Sequence, residues 1–199
     1  MYKIVLASAS PRRKEIFEKV GIEFTVSTSD KEETIRKKTP EEIVVDLASK
    51  KAEDVAIQYE GNVIVIGADT MVVHKAEIMG KPRDAEDAKR MLHILSDSVH
   101  KVYTGVSVII KNGIESANPD KVLHFTECTD VWVKEMTEDA IADYIASGEP
   151  FGKAGAYAIQ GLFAVHIDRI DGDYNNIVGF PIAKLYSVLL KEGIDILHP

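Results

Sequence analysis

The stretch Val63-Ile64-Val65-Ile66-Gly67-Ala68-Asp69-Thr70 decides the fold. Four consecutive β-branched residues favour extended backbone and leave no polar position for a solvated face, so the run predicts a strand covered on both sides. Strands of that kind belong to α/β architectures, in which helices lie over a sheet. Toward the N-terminus, short apolar runs alternate with helical patterns: a strand at 4–7, a helix over 11–20, a strand at 24–27 and a helix over 40–58. Toward the C-terminus a helix is expected over 84–95, its apolar positions including Ala88, Met91, Leu92 and Leu95. Two long strands follow, 102–110 and 122–133, separated by polar turns at Asn112-Gly113 and Asn118-Pro119-Asp120. They read as an antiparallel pair, which makes the sheet mixed.

Thr137 reads as an N-cap with Glu138 and Asp139 in the first turn, and that helix should stop at Ser147-Gly148-Glu149-Pro150. A strand is expected over 162–170. A last helix starts near Pro181, carries Ile182, Leu185, Tyr186 and Leu189 on one face, and ends before Gly193. No repeat, low-complexity tract or linker interrupts the 199 residues, so the reading is one domain over 1–199 in which any two lobes share a continuous sheet.

Composition bounds the function. Apolar residues make up 45% and charged residues 28%, which is globular rather than disordered usage. The 24 Lys and Arg against 32 Asp and Glu give a net charge of −8, so general nucleic-acid or membrane binding is not expected. Cys128 is the single cysteine, which excludes an intramolecular disulfide and a multi-cysteine metal site; its strand-like neighbours suggest a buried structural thiol. Met1 leads almost directly into a strand with no signal-peptide pattern, and no run approaches a membrane span, so a cytoplasmic location is expected. The six histidines show no metal-ligand spacing.

Several segments look chemical. In Ser8-Ala9-Ser10-Pro11-Arg12-Arg13, Ser10 suits an N-cap and Pro11 the first helical position, which puts Arg12 and Arg13 in the first turn. Cations there oppose the helix dipole unless an anion joins them, and free N–H groups, guanidinium groups and serine hydroxyls make a phosphate pocket. The plain alternative is a solvated basic turn paired with Glu15 or Glu18. Lys51 falls on the apolar stripe of Val44, Ala48 and Val55, so it either snorkels or meets an anion. Asp69 stands at the carboxyl end of the central strand, where α/β proteins collect ligands, unless it merely caps a turn. Lys81, in Gly80-Lys81-Pro82, could return to the same mouth. Glu32 and Glu33 sit in a charge-rich loop over 30–38 that would ordinarily be solvated. Gln160, in the glycine-spaced segment over 153–161, offers one acceptor and two donors that suit a pyrimidine edge, or is an ordinary loop amide.

Taken together, Leu6-Ala7-Ser8-Ala9-Ser10-Pro11-Arg12-Arg13, Ile66-Gly67-Ala68-Asp69-Thr70, Gly80-Lys81-Pro82, Tyr103-Thr104-Gly105-Val106, Lys153-Ala154-Gly155-Ala156-Tyr157, Ile159-Gln160-Gly161 and Gly179-Phe180-Pro181 resemble the Maf family of nucleoside triphosphate pyrophosphatases. The resemblance runs in order from the first strand to the last helix. It implies hydrolysis of a nucleoside triphosphate to the monophosphate and pyrophosphate with a divalent cation, Mg2+ or Mn2+. It also implies an elongated mixed sheet flanked by helices, with two lobes around a cleft as in inosine triphosphate pyrophosphatases, and a homodimer. Carried onto this chain, Asp69 matches the family's proton acceptor. Arg12, Thr70 and Gln160 match its substrate-discriminating positions, and Arg13, Glu33, Lys51 and Lys81 its charged residues. Ser8 joins the substrate-binding set, with Glu33 and Asp69 toward the metal. The branch resembled acts on dTTP and UTP. Ala158, Gly152 and Asp97 depart from the family's usual glycine, aspartate and glycine. Two other functions remain open: a non-hydrolysing nucleotide sensor, for example in cell-division control, and a sugar nucleotidyltransferase, whose Gly-x-Gly-x-Arg loop is absent.

Overall fold

The computed structural model describes residues 2–29, 35, 37–113 and 120–198. Glu32, Glu33 and the Asn118-Pro119 turn lie outside the described residues. The elements run β1 (Lys3–Ala7), α1 (Pro11–Lys19), β2 (Thr25–Val26), α2 (Pro40–Ala56), β3 (Val63–His74), β4 (Glu77–Met79), α3 (Ala85–Leu95), β5 (Ser98–Lys111), β6 (Lys121–Val133), α4 (Glu138–Ala146), β7 (Ile167–Asp171), α5 (Tyr174–Val178) and α6 (Ile182–Lys191). The strands form one seven-stranded sheet in the order β2-β1-β3-β5-β6-β7, with β4 paired to β3. β1 pairs in parallel with β2 and β3, whereas β4 runs antiparallel to β3 and β7 to β6, so the sheet is mixed as expected.

Local chemistry explains most boundaries. Thr39 and Glu42 form a reciprocal capping box at the start of α2, and Asp84 and Thr137 cap α3 and α4 by accepting from Asp87 N and Ala140 N. Two expectations need correction. Residues 162–166 wind into a 3-10 helix, so the strand begins only at Ile167, because the N–H groups of Leu162 and Phe163 are taken by the Glu149 carboxylate rather than by a strand partner. Cys128 sits in β6 half-buried rather than fully buried. The short helix α5 was not anticipated.

The chain divides into two compact units, one of residues 1–69, 104–127 and 179–199, the other of residues 70–103 and 128–178. In the first, alternation along β3 governs the packing. Val63 and Val65 share a core cluster with Val5, Ala7, Ile109 and the α2 residues Ala52, Val55 and Ala56. Gly67 continues that alternation, and there α2 comes down onto the sheet: a Cβ on Gly67 would lie 2.3 Å from the Ala48 carbonyl oxygen. Gly105 of β5 makes the same allowance, since its Cβ would lie 2.4 Å from the carbonyl carbon of Val44. Phe17 of α1 meets Phe180 and Phe24 edge-on at centroid distances of 4.9 and 5.3 Å.

In the second unit, Phe163 contacts Tyr144 of α4 and Tyr157 at 5.2 and 4.8 Å between centroids. His100 of β5 is buried, its Nε2 within 2.8 Å of the Tyr157 hydroxyl, and burial holds its pKa down to about 3, so the ring is neutral at pH 7. Among the described residues no helix is long and apolar enough to cross a membrane.

Backbone atoms cannot swing aside as a flexible side chain can. Gly67→Ala and Gly105→Ala are therefore expected to lose about 3 kcal/mol or more of stability by urea denaturation. Gly80→Ala, with nothing near its Cβ, should stay within about 0.5 kcal/mol of the parent.

Candidate active site

Alternation places Asp69 on the same side of β3 as Val63, Val65 and Gly67, facing α2. Lys51 lies one turn along α2 from Ala48, beside Ala52, and the close approach at Gly67 brings its ammonium to Asp69, which sits in the middle of β3 rather than at the carboxyl end expected from the sequence, because the strand runs on to His74. Lys51 Nζ donates to Asp69 Oδ1 at 2.6 Å, with the side chains only 20% and 16% exposed. Lys51 therefore meets an anion of the chain itself, the carboxylate of Asp69.

The Ser8–Arg13 turn belongs to the same unit. Ser10 takes the N-cap position of α1 in extended conformation without a side-chain capping bond, and the first turn contains no acidic residue. The two arginines part company there. Arg13 is buried, with Nε donating to the Gly179 carbonyl at 2.8 Å and Nη1 to the Ala68 carbonyl at 2.9 Å and to Ser8 Oγ at 3.1 Å. It thereby ties the turn to the residue preceding Asp69 and to the Gly179-Phe180-Pro181 segment. Arg12 is half-buried, and partial desolvation lowers its pKa from the ordinary guanidinium value. It has no hydrogen-bond or ion-pair partner among the described residues, and neither Glu15 nor Glu18 neutralises it, since those two pair with Lys19 and Lys14. The first i→i−4 bond of α1 runs from Lys14 N to the Ser10 carbonyl, so the preceding N–H groups are surplus to the helix ladder. Ser8 Oγ accepts from Ser10 N at 3.2 Å as well as from Arg13. With both lone pairs engaged, its O–H is set to donate.

The second unit brings together other expected residues. Gly155 N donates to the Gly80 carbonyl at 3.0 Å, fastening the segment of exposed Lys81 to the loop that carries Gln160. Gly155 has φ +68° and its missing Cβ would lie 2.9 Å from the Val72 side chain, so glycine alone suits this crossing. Gln160 is exposed on a turn, and Thr70, half-buried, follows Asp69 directly. Asp97 has φ +49°, a left-handed conformation in which glycine is less strained, and Gly152 has φ +75°. Glu33 lies outside the described residues, and among those described no three His, Cys, Asp or Glu residues gather as a metal cluster. Glu149 carries no sequence signal of a role, yet its carboxylate accepts from the Tyr144 hydroxyl, Leu162 N and Phe163 N. Only its place between Gly148 and Pro150 marked it.

An ion-paired carboxylate on β3, in the same unit as a half-buried arginine and a donor-only serine, is chemistry suited to binding a phosphate and moving a proton. The chain is similar to proteins of known name. A dTTP/UTP pyrophosphatase of Lachnoclostridium phytofermentans is 54% identical over 196 residues, covering 98% of this chain and 98% of that protein. One from Agathobacter rectalis is 47% identical over 208 residues, covering 98% and 100%. Among solved structures, a HAM1 protein from Coxiella burnetii aligns over 96% of this chain and 100% of its own with a TM-score of 0.49 and 14% identity, a likeness that carries no functional weight. The family described as Maf-like protein matches residues 3–192, and the chain belongs to the Maf family.

Proposed function

We propose that the protein is a nucleoside triphosphate pyrophosphatase that hydrolyses dTTP and UTP to the monophosphate and pyrophosphate, with the whole 1–199 chain as its catalytic domain. The observation that carries this reading is the Lys51–Asp69 pair at 2.6 Å. Lys51 fixes the carboxylate's position, and Asp69 accepts a proton from the water that attacks the α-phosphorus. The new P–O bond forms as the bond to the bridging oxygen breaks and pyrophosphate leaves with its electron pair. Arg12 and Lys81 offset the charge of the triphosphate and the charge growing on the leaving group, Ser8 donates to a phosphate oxygen, and Thr70 is a further substrate contact. Arg13 adds positive charge while holding Ser8 and the Ala68 carbonyl in place. The all-oxygen character of Asp69 and of the triphosphate suits Mg2+ or Mn2+, which commonly bind through one or two carboxylates plus substrate phosphates. Asp69 and Glu33 would hold such an ion, which supplies charge neutralisation at the phosphates.

Gln160 reads the base in this proposal. Its amide N–H2 suits the pyrimidine O4 and its carbonyl suits N3–H, whereas cytosine reverses both roles. Both relatives compared above are named dTTP/UTP pyrophosphatase, which supports this choice of base. The same reading has the enzyme working as a cytoplasmic homodimer without nucleic-acid or membrane partners, supported by the family and by the net charge of −8.

Pyrophosphate release from dTTP without an acceptor is the deciding assay, because neither a sensor nor a nucleotidyltransferase would give it. Asp69→Asn should lower kcat about 10²–10⁴-fold with the fold intact, since the amide is isosteric but takes no proton. Lys51→Met should raise KM, lower kcat and lower Tm by several degrees, because the Asp69 carboxylate loses its ion-pair partner; wild-type kinetics would return Lys51 to a structural role.

Initial rates across a nucleotide panel test the base. dTTP and UTP should exceed dCTP, ATP and GTP by roughly tenfold to a hundredfold per mismatched group. Gln160→Glu should erode that order, and equal rates on all nucleotides would remove Gln160 from base recognition.

A further inference from the structure

One carboxylate outside the residues assigned to the nucleotide turns its hydrogen-bonding capacity on the loop that carries Gln160. Glu149 Oε1 accepts from the Tyr144 hydroxyl at 2.9 Å and from Phe163 N at 3.4 Å, while Oε2 accepts from Leu162 N at 2.9 Å. A Cβ on Gly161 would fall 2.2 Å from Oε2, so the backbone lies directly against the carboxylate and a side chain there would push it aside. The same tyrosine hydroxyl accepts from Ala158 N at 3.3 Å, and Lys153 Nζ donates to the Glu149 carbonyl. These contacts bracket Gln160 on both sides, at Ala158 before it and at Gly161, Leu162 and Phe163 after it. Among the described residues the Gln160 side chain itself has no hydrogen-bond partner, so its aim is set by the backbone that carries it. Partial burial opposes ionisation of Glu149, but the N–H of Leu162, the Tyr144 hydroxyl and the N–H of Phe163 outweigh it and hold the carboxyl below its ordinary range.

We propose that Glu149 is a positioning residue for nucleobase selection, clamping the turn so that the Gln160 amide meets the base in one orientation. The proposal rests on the reading that Gln160 recognises the base. A glutamine on a loose turn can rotate or shift to satisfy cytosine as well as uracil or thymine. Discrimination requires that the amide be unable to adapt. Both oxygens of Glu149 are acceptors and all three partners are donors, so Glu149→Gln necessarily sets an amide N–H2 against an N–H or the hydroxyl and opens one side of the clamp. Tyr144→Phe removes one donor to Glu149 and the acceptor for Ala158 N without changing the size of the ring.

The test is kcat/KM for dTTP, UTP, dCTP and dATP, together with Tm, for Glu149→Gln, Tyr144→Phe and Gln160→Ala. The expected result is a dTTP-over-dCTP preference reduced about tenfold in Glu149→Gln and by less in Tyr144→Phe. The change should appear as a rise in KM for dTTP, with kcat at saturation nearly unchanged. A general loss of structure would instead lower the rate on every nucleotide in proportion. That proportional loss, or an unchanged preference in both clamp variants, overturns the proposal, and Tyr144→Phe decides alone where Glu149→Gln does not fold. Gln160→Ala separates the two layers. If it keeps the wild-type preference, base reading by Gln160 is refuted and the clamp falls with it, whereas a lost preference there beside intact preference in the clamp variants refutes the clamp only.

Discussion

The first unit depends on how closely α2 can approach the sheet. Two glycines on neighbouring strands, Gly67 and Gly105, let the backbone of the helix rest where side chains would ordinarily hold it off. Helices usually ride on a sheet across a layer of side chains. Here the layer is thinned at two points, and the helix comes low enough for Lys51 to reach Asp69. The Lys51–Asp69 distance of 2.6 Å is thus a consequence of missing methyl groups one residue pair away. Chemistry at Asp69 and packing at Gly67 follow from the same alternation along β3.

An acidic protein that takes a polyanion must gather its positive charge locally, and the Ser8–Arg13 turn does so by dividing labour between adjacent arginines. Arg13 serves as a brace: its planar fork spans Ser8, Ala68 and Gly179, a task for which a lysine would lack both reach and geometry. Arg12 holds its charge half-desolvated, which strengthens its attraction for an incoming anion relative to a fully hydrated cation. In this way buried structure and exposed charge come from one dipeptide.

Much of this was legible in the sequence, and the reasons are local. The β-branched run Val63–Ile66 announces a covered strand, Thr137 with Glu138 and Asp139 announces the start of α4, and a lysine on an apolar stripe announces an unusual partner. What stayed hidden depends on distant groups. Nothing near Arg13 in sequence indicates that its acceptors lie 55 and 166 residues away. The apolar run Leu162–Val165 looks like a strand until a carboxylate thirteen residues earlier takes its N–H groups. Five residues of mixed polarity at Tyr174–Val178 carry too little periodicity to declare a helix. Glu149 itself bears no spacing signal, since its partners are backbone groups that any residue would supply.

The saturated lone pairs of Ser8 have a directional consequence. A serine hydroxyl is normally ambivalent and can turn to either a donor or an acceptor, but with two N–H groups on its oxygen this one has a single polarity. A phosphate oxygen meets it favourably, whereas a protonated phosphate presenting its O–H, an amine, or water bound to a cation and pointing its hydrogens outward meets no available electron pair. The corner at Ser8 is therefore selective by polarity, offering one proton to an acceptor and no electron pair to a donor.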